Sequence, residues 1–186
     1  WTETHYDSFR PGYKDLYVLE RGDSLWRSPH VWYGLGIEVD SLLGENAQVG
    51  IYRGQRGRER FCLSDRPETA FYAQGLAAST GMVSALGCRI LSGSLEEVDA
   101  SQDRFILTES MARRLFGRID VVGERICRMQ GNNASYYTVG AVVEDCGGKS
   151  NLYYDFIRPL WVGDYERNSV NYCNFHILLR TSNPEQ

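Results

Sequence analysis

The sequence has few of the residues that build metal sites and catalytic centres. It contains three histidines and five cysteines in 186 residues, and no two cysteines have the Cys-x-x-Cys spacing typical of a zinc site. The cysteines are Cys62, Cys88, Cys127, Cys146 and Cys173. Because their number is odd, at least one thiol stays unpaired. One disulfide is possible in an oxidising compartment, but buried reduced side chains are the favoured expectation.

The sequence also lacks a long apolar run and an excess of positive charge. No window approaches the roughly 20 apolar residues that span a bilayer, and no signal peptide opens the chain. The net charge is −4 and the pI is about 5.4, which argues against nucleic-acid binding. The strongest basic cluster is Arg53, Arg56, Arg58 and Arg60. A solvated hairpin tip is its favoured interpretation, and a phosphate or lipid-headgroup contact is the alternative.

Residues that could form a nucleophilic centre are present but do not pair. Cys173 and His176 are three residues apart in a segment that alternates like a strand, so their side chains point to opposite faces. The segment from 147 to 150 reads Gly-Gly-Lys-Ser, but Val143 stands where a phosphate-binding loop needs glycine. The acidic pairs Glu96-Glu97 and Glu144-Asp145 have no partner pattern. We therefore predict no catalytic residue, no metal and no cofactor.

The composition, 42% hydrophobic and 24% charged, is that of a chain with its own core. One domain or two small subdomains are both compatible with the length. Predicted strands cover 47–53, 59–64, 68–76, 156–161 and 170–181. Predicted helices begin at Pro11, at Ser28-Pro29 and at Ser79 or Thr80, and the second has an apolar stripe of Trp32, Leu35, Val39, Leu42 and Leu43. The acidic segment 94–102 is predicted to be a surface loop.

The segment from Asp103 to Asp145 has the clearest local pattern. A short apolar strand ends at Thr108, whose hydroxyl is a suitable N-cap for a helix. Leu107, Met111 and Leu115 recur every four residues, which predicts one buried helix face. Gly117 then ends the helix, because glycine tolerates the left-handed conformation after the last turn. A strand from 125 to 129 and a strand from 136 to 143 are predicted to follow.

This segment resembles the one that marks the MacB-like periplasmic core domain of ABC-transporter permeases, the FtsX/MacB-type family. The similarity extends over about forty residues with matching spacings, which is more specific than a short motif. The residues that carry it are Thr108, Glu109, Ala112, Leu115, Phe116, Gly117, Gly123 and Val139. Two further blocks are similar to the family, particularly to members from Bacteroidetes. One is the start of the chain with Tyr6, Asp7 and Phe9, and the other runs from 71 to 93.

The resemblance implies an α+β ectodomain with two parts. A porter-like α/β subdomain is built from both chain ends, residues 1–67 and 150–186, and a smaller α/β subdomain, residues 68–149, is inserted between them. The implied location is the periplasmic face of the bacterial inner membrane. The chain begins with Trp1 rather than methionine, so we expect it to be a piece of a longer membrane protein. The family domain usually continues past the residues that match 179–181 with another helix and strand, so either the sequence is cut short here or this member of the family is short.

The function implied by the resemblance is mechanical. The domain would transmit motion driven by a cytoplasmic ATPase to periplasmic cargo or partner proteins, in efflux or export. The implied partners are the permease's own transmembrane helices, the ATPase, a second permease in a homodimer or pseudo-dimer, and a periplasmic adaptor with an outer-membrane duct. Gly147 and Gly148 are the candidate hinge for this motion.

Three alternatives remain open from the sequence. Within the family, the chain could be an FtsX-type regulatory ectodomain for a cell-wall hydrolase, or a domain of the LolC/LolE type that extracts lipoproteins. Outside the family, it could be a secreted binding module or enzyme.

Overall fold

The computed structural model describes residues 13–23, 25–54, 57–63, 66–131, 133–145 and 152–181. The strands in these ranges are β1 (Leu16–Val18), β2 (Arg21–Gly22), β3 (Arg27–Ser28), β4 (Val31–Trp32), β5 (Gln48–Arg53), β6 (Glu59–Leu63), β7 (Arg66–Ala73), β8 (Gly75–Ala78), β9 (Ile90–Gly93), β10 (Arg104–Thr108), β11 (Arg125–Gln130), β12 (Asn133–Val143), β13 (Phe156–Pro159) and β14 (Cys173–Arg180). The α-helices are α1 (Tyr33–Leu43), α2 (Gly81–Ala85), α3 (Leu95–Asp99), α4 (Glu109–Phe116) and α5 (Asp164–Asn168). Short 3-10 helices cover Tyr13–Asp15 and Gly44–Asn46.

The chain divides into two compact units. Unit 1 consists of Trp1–Gly54, Ala78–Gly87 and Leu160–Gln186. Unit 2 consists of Gln55–Ala77 and Cys88–Pro159. These bounds differ from the predicted subdomains, because β6 pairs with β11 and therefore lies in unit 2, and because α2 lies in unit 1. Among the described residues, no helix has both the length and the apolar character needed to cross a membrane.

Unit 1 has a small antiparallel sheet centred on β14. That strand pairs with β5 along one edge, and with β1 and β4 along the other. Its core consists of Val31, Val49, Ile51, Phe175 and Ile177. Gly36 allows α1 to approach this core, because a Cβ at that position would lie 2.6 Å from Cδ1 of Ile51. Packing thus explains why a glycine lies inside α1.

Unit 2 has a mixed sheet in the order β13-β10-β12-β11-β6-β7. In this sheet β10 and β12 are parallel, and the other neighbours in the order are antiparallel. The short strand β9 also pairs with β12, in antiparallel orientation. An aromatic group fills the core between this sheet and α4. The ring centroid of Phe105 lies 5.5 Å from that of Phe156, 4.2 Å from that of Tyr137 and 6.2 Å from that of Phe61. The mixed α and β architecture predicted from the sequence is confirmed.

Three predicted elements are wrong in extent or type. The second helix begins at Tyr33 rather than at Ser28-Pro29, because Val31 and Trp32 pair with β14 and the Ser28 hydroxyl accepts from the His30 N–H at 3.2 Å in a turn. Leu42 of its predicted apolar stripe is 83% exposed. In the described part of the predicted first helix, Tyr13–Asp15 form a 3-10 turn, and β1 follows with residues that pair with β14. The predicted loop 94–102 contains α3, capped by the Ser94 hydroxyl, which accepts from the Glu97 N–H at 3.2 Å.

Candidate functional site

The N-terminus of α4 is the best-anchored helix end in unit 2. Thr108 is the N-cap, with extended backbone, and its hydroxyl accepts from the Met111 N–H at 3.3 Å. The same hydroxyl donates to the Asp155 carbonyl oxygen at 3.0 Å, and the Thr108 N–H donates to that oxygen at 3.0 Å. One buried threonine therefore caps the helix and ties it to the residue before β13.

Asp155 is a junction that sequence reasoning missed. Its carboxylate accepts from the Gln74 N–H at 2.6 Å and from the Tyr153 hydroxyl at 2.7 Å. Its N–H donates to the Gln74 carbonyl oxygen at 2.8 Å. Through these bonds and its contacts with Thr108, Asp155 joins three segments of unit 2 that are distant in sequence. A lone aspartate before a short apolar run gives no sequence signal for this role.

The body and end of α4 match the predicted pattern. Met111, Ala112 and Leu115 are buried, and Phe116 packs beside them in the core of unit 2. Glu109 pairs with Arg113 at 2.8 Å between the carboxylate and guanidinium groups. The N–H of Gly117 donates to the Arg113 carbonyl oxygen at 2.8 Å, and Gly117 has a φ of 73°. The predicted cap, buried face and glycine stop of this helix are confirmed.

The loop that follows α4 is hydrogen-bonded to Val139 of β12. The Gly123 N–H donates to the Val139 carbonyl oxygen at 2.8 Å, and the Val139 N–H donates to the Glu124 carbonyl oxygen at 2.9 Å. At the other end of the helix, the Asp145 carboxylate accepts from the Ser110 N–H at 3.0 Å and from its hydroxyl at 2.7 Å. Carboxylate contacts at a helix N-terminus also suit the helix dipole. These hydrogen bonds connect the loop after α4 to β12, and the first turn of α4 to the residue Asp145 that follows β12.

We expect Thr108→Ala to lower the free energy of unfolding by about 1–2 kcal/mol, because the helix loses its cap and the Asp155 carbonyl oxygen loses a donor. The matched control is Thr108→Ser, which keeps the hydroxyl and removes only a methyl group. Urea unfolding curves of the 186-residue chain measure both variants. A serine variant as unstable as the alanine variant would show that the methyl group, not the hydroxyl, stabilises this end of α4.

The remaining predicted residues lie outside the described ranges. These are Tyr6, Asp7 and Phe9 at the start of the chain, and the candidate hinge residues Gly147 and Gly148.

The candidate catalytic pairs do not come together in the structure. Cys173 and His176 lie three residues apart in β14, and the Cys173 thiol donates to the Val170 carbonyl oxygen at 3.4 Å. Glu97 and Glu144 are engaged with Arg104 and Arg89, respectively. Within the described ranges, no three His, Cys, Asp or Glu side chains are grouped so that they could hold a metal ion.

His176 instead belongs to an aromatic group in unit 1. Its ring stacks on Tyr52 with centroids 4.8 Å apart, and it lies 4.6 Å from the ring of His30. Burial and the nearby His30 lower the pKa of His176 below its usual value of 6.5, and a backbone hydrogen bond at Pro29 opposes them in part. The folded state therefore favours the neutral imidazole.

This environment predicts a pH dependence of stability. The unfolded chain takes up a proton on His176 at a higher pH than the folded chain does. The contribution of His176 to the free energy of unfolding is therefore complete above the pKa that this residue has in the unfolded chain. The free energy of unfolding should then fall as the pH drops from about 7.5 to about 5.5. Urea titrations across that range measure it, and His176→Gln should flatten the slope. An equal slope in wild type and variant would assign the effect to other groups.

The arginine cluster predicted at a hairpin tip is divided in the structure. Arg53 is held in unit 1, where its guanidinium pairs with Glu166 at 2.9 Å and lies over the ring of Phe175. Arg58 and Arg60 belong to unit 2 and are exposed, and they line an open groove of about 380 Å³ with Tyr72 and other residues. Arg56 lies outside the described residues. The prediction of a solvated tip is therefore wrong for Arg53. Among the described arginines of the cluster, Arg58 and Arg60 are the exposed ones, and the alternative of a contact with phosphate or a lipid headgroup applies to them alone.

Comparison with solved structures finds the same fold in domains of transport proteins, of which three are described here. A domain of a protein assigned as a permease from Porphyromonas gingivalis superposes with a TM-score of 0.78 at 17% identity, over 95% of this chain and 79% of that one. The periplasmic region of MacB from Actinobacillus actinomycetemcomitans gives 0.55 at 16% identity, over 94% and 78%. The extracellular domain of the ABC-type transporter YknZ from Gram-positive bacteria gives 0.52 at 11% identity, over 92% and 84%.

No family profile matches the sequence, and no curated protein sequence matches it either. The similarity therefore lies in the fold. The chain has the fold of a MacB-like periplasmic domain, as the resemblance of the sequence predicted.

Proposed function

We propose that this chain is the extracytoplasmic domain of an ABC-transporter permease, and that it transmits motion driven by a cytoplasmic ATPase to cargo or partner proteins. The observation that carries the proposal is the fold shared with the three transporter domains over more than nine-tenths of the chain. The signature segment around α4 adds an independent argument, because its resemblance to the family rests on residue types and their spacing rather than on the shape of the fold.

The domain acts without chemistry of its own in this proposal. A transmitting domain needs elements that keep their shape under load, and α4 is anchored at its N-cap by Thr108 and Asp155 and packed along its buried face. Such a helix moves with its sheet as one body. The Cys173 thiol bonds to a backbone carbonyl oxygen, and Glu97 and Glu144 pair with arginines. These structural contacts also support a non-catalytic role.

The partners follow from the same proposal. The chain would be tethered by transmembrane helices of the full permease, with the ATPase on the cytoplasmic side and this domain on the periplasmic face of the inner membrane. Two permeases would act as a homodimer or pseudo-dimer, and a periplasmic adaptor with an outer-membrane duct would receive the cargo in an efflux system.

Co-purification of the full-length protein tests this function. Extracted in mild detergent, it should retain an ATP-binding subunit or carry an ATP-binding domain, whereas the isolated 186-residue chain should retain none. Mass spectrometry of the co-purified proteins then separates the possible roles: an adaptor and duct indicate efflux, a cell-wall hydrolase indicates FtsX-type regulation, and lipoproteins indicate extraction of the LolC/LolE type. Absence of any ATP-binding partner or domain would contradict the proposal.

The candidate hinge remains part of the proposal. We expect Gly147→Pro in the full-length permease to reduce efflux several-fold while ATP binding is unchanged, because proline fixes φ and removes backbone freedom. Gly147→Ala provides a comparison at the same position, because alanine keeps the backbone N–H and does not lock φ, and it should retain most of the efflux. Unchanged efflux in the Gly147→Pro variant would exclude this hinge.

A further inference from the structure

Two cysteines from different strands lie directly opposite each other in unit 2. Cys62 in β6 is the antiparallel partner of Cys127 in β11, with the pair Leu63 and Ile126 next to them. Residues directly opposite in such a ladder have Cα atoms about 4.5–5.5 Å apart. A disulfide accepts Cα separations of about 4.4–6.8 Å. The strand register alone therefore places the two Cα atoms within the range that a disulfide accepts.

The side chains also share a face and touch. Leu63 and Ile126 belong to the core of unit 2, so the alternation along each strand places both cysteines on the opposite face of the sheet. The thiols of Cys62 and Cys127 are within hydrogen-bond contact, and the two residues are 1% and 5% exposed. Cys88 instead lies near the Tyr154 hydroxyl, and Cys173 belongs to unit 1. Among the described cysteines, the strand register places only Cys62 and Cys127 directly opposite each other.

We propose that Cys62 and Cys127 are the site of a cross-strand disulfide that joins β6 to β11. The oxidant is a protein or small-molecule disulfide of the thiol–disulfide exchange class. One cysteine thiolate attacks this disulfide, forms a mixed disulfide and releases one thiol of the oxidant. The second cysteine thiolate attacks the mixed disulfide, forms the bond between Cys62 and Cys127 and releases the second thiol. Two electrons pass from the cysteines to the oxidant, and the two protons end on its sulfurs.

The bond has to form before the strands close over the thiols. Burial and the neighbouring Cys127 raise the pKa of Cys62 to about 11 in the folded chain. The thiolate, which is the attacking species, is therefore scarce at neutral pH, whereas a thiol in the unfolded chain has a pKa of about 8.5. Exchange is thus expected during folding, and the finished bond is then shielded from reductants by its low exposure.

The disulfide would close a large loop of unit 2. About 65 residues separate the two cysteines, and they include β10, α4 and the signature segment as far as Gly123. Closing a loop of this size typically lowers the unfolding equilibrium constant by roughly 30- to 1000-fold, because the unfolded chain loses conformational freedom. The bond would therefore stabilise the folded form of the part of the chain that the proposed function uses as a rigid element.

Refolding of the 186-residue chain tests the pairing. The reduced, denatured chain is refolded in a buffer of reduced and oxidised glutathione, free thiols are alkylated, and proteolytic peptides are analysed by mass spectrometry. We expect a linked peptide pair containing Cys62 and Cys127, with Cys88 and Cys173 alkylated. Alkylation of both Cys62 and Cys127, glutathione adducts on them, or a linkage to another cysteine would overturn the proposal.

Stability measurements on variants give a second, independent readout. Dithiothreitol should raise the unfolding equilibrium constant of the refolded wild type roughly 30- to 1000-fold. This effect of dithiothreitol should disappear in Cys62→Ala and in Cys127→Ala, and it should persist in the matched control Cys88→Ala. Equal sensitivity of all three variants to dithiothreitol would contradict the assignment.

Formation of the bond in cells rests on the proposed extracytoplasmic location, whereas the pairing of the two thiols does not. The two parts can fail separately. A chain that forms the bond in glutathione buffer but is isolated from cells fully reduced would support the pairing and contradict the location. A chain that labels from outside the inner membrane but never forms this bond would support the location and overturn the disulfide.

Discussion

Replacing Phe105 by alanine should lower the free energy of unfolding by about 3–5 kcal/mol. The ring is 1% exposed and lies at the centre of the aromatic core of unit 2, parallel to the ring of Phe156 and stacked on Tyr137. Its removal forfeits the transfer energy of a buried ring and leaves a cavity, and the stacked and edge-on ring contacts are lost as well. Among the described residues of unit 2, Phe105 alone has ring contacts with three other aromatic side chains.

The measurement is chemical denaturation followed by far-ultraviolet circular dichroism. Tryptophan fluorescence is a second probe, and it reports on the unfolding of unit 1. All four tryptophans of the sequence, Trp1, Trp26, Trp32 and Trp161, belong to that unit. Tyr136→Ala is the matched control, since this aromatic side chain also belongs to unit 2 but is 48% exposed, and we expect it to cost less than about 1 kcal/mol. Phe105→Leu keeps most of the apolar volume and provides a milder variant. A loss below about 1 kcal/mol for Phe105→Ala would contradict the described core.

The second large effect is expected at Gly93, at the end of β9. Gly93 has a φ of 82°, and a Cβ at this position would lie 2.2 Å from the Gly140 carbonyl oxygen and 2.9 Å from Cα of Ala141. Both neighbours are backbone atoms of β12, which pairs with Gly93, so they cannot move aside as a flexible side chain could. Gly93→Ala combines left-handed strain with backbone overlap, and we expect it to cost about 2–5 kcal/mol.

Gly131→Ala separates these two costs. Gly131 has a φ of 60°, but a Cβ there would have no atom within 4 Å. This variant should therefore show only the strain of a left-handed alanine, about 1–2 kcal/mol. Urea unfolding of both variants gives the difference, which measures the overlap with β12. Equal losses at the two positions would mean that β9 and β12 are not packed as described.

The signature helix was predictable because all its signals are local. Thr108 as N-cap, the four-residue spacing of Leu107, Met111 and Leu115, and Gly117 as the stop lie close together in the chain, and each is satisfied inside that stretch. Local signals of this kind do not depend on where the rest of the chain goes. The fold class followed from the same segment, through its resemblance to the MacB-like domains.

The errors arose where long-range pairing decides the structure. Ser28 and Pro29 are good helix-start residues, but the pairing of β4 with β14, a strand far away in the sequence, holds Val31 and Trp32 extended. The pairing of β6 with β11 also joins residues that are far apart in the sequence. By contrast, α3 had a readable signal, because Ser94 is followed three residues later by Glu97, which is the spacing of a capping box.

The candidate site was predicted only in part for the same reason. Sequence reasoning found Thr108, Gly123 and Val139, which all lie in unit 2, the last two hydrogen-bonded to each other. It missed Asp155, whose carboxylate and backbone meet Gln74 and Thr108 only after β13 has paired with β10. A polar residue that connects distant segments leaves no periodic pattern in a single sequence.

The central claim is that this chain lies outside the inner membrane as part of a permease, and the accessibility of an introduced cysteine tests it most directly. Leu25→Cys is suitable because Leu25 is 94% exposed, whereas Cys62, Cys88 and Cys127 are buried. In spheroplasts that express the full-length protein, a membrane-impermeant maleimide should label the variant above the wild-type background, while a cytoplasmic control cysteine stays unlabelled. Labelling of Leu25→Cys only after the inner membrane is lysed would contradict the account.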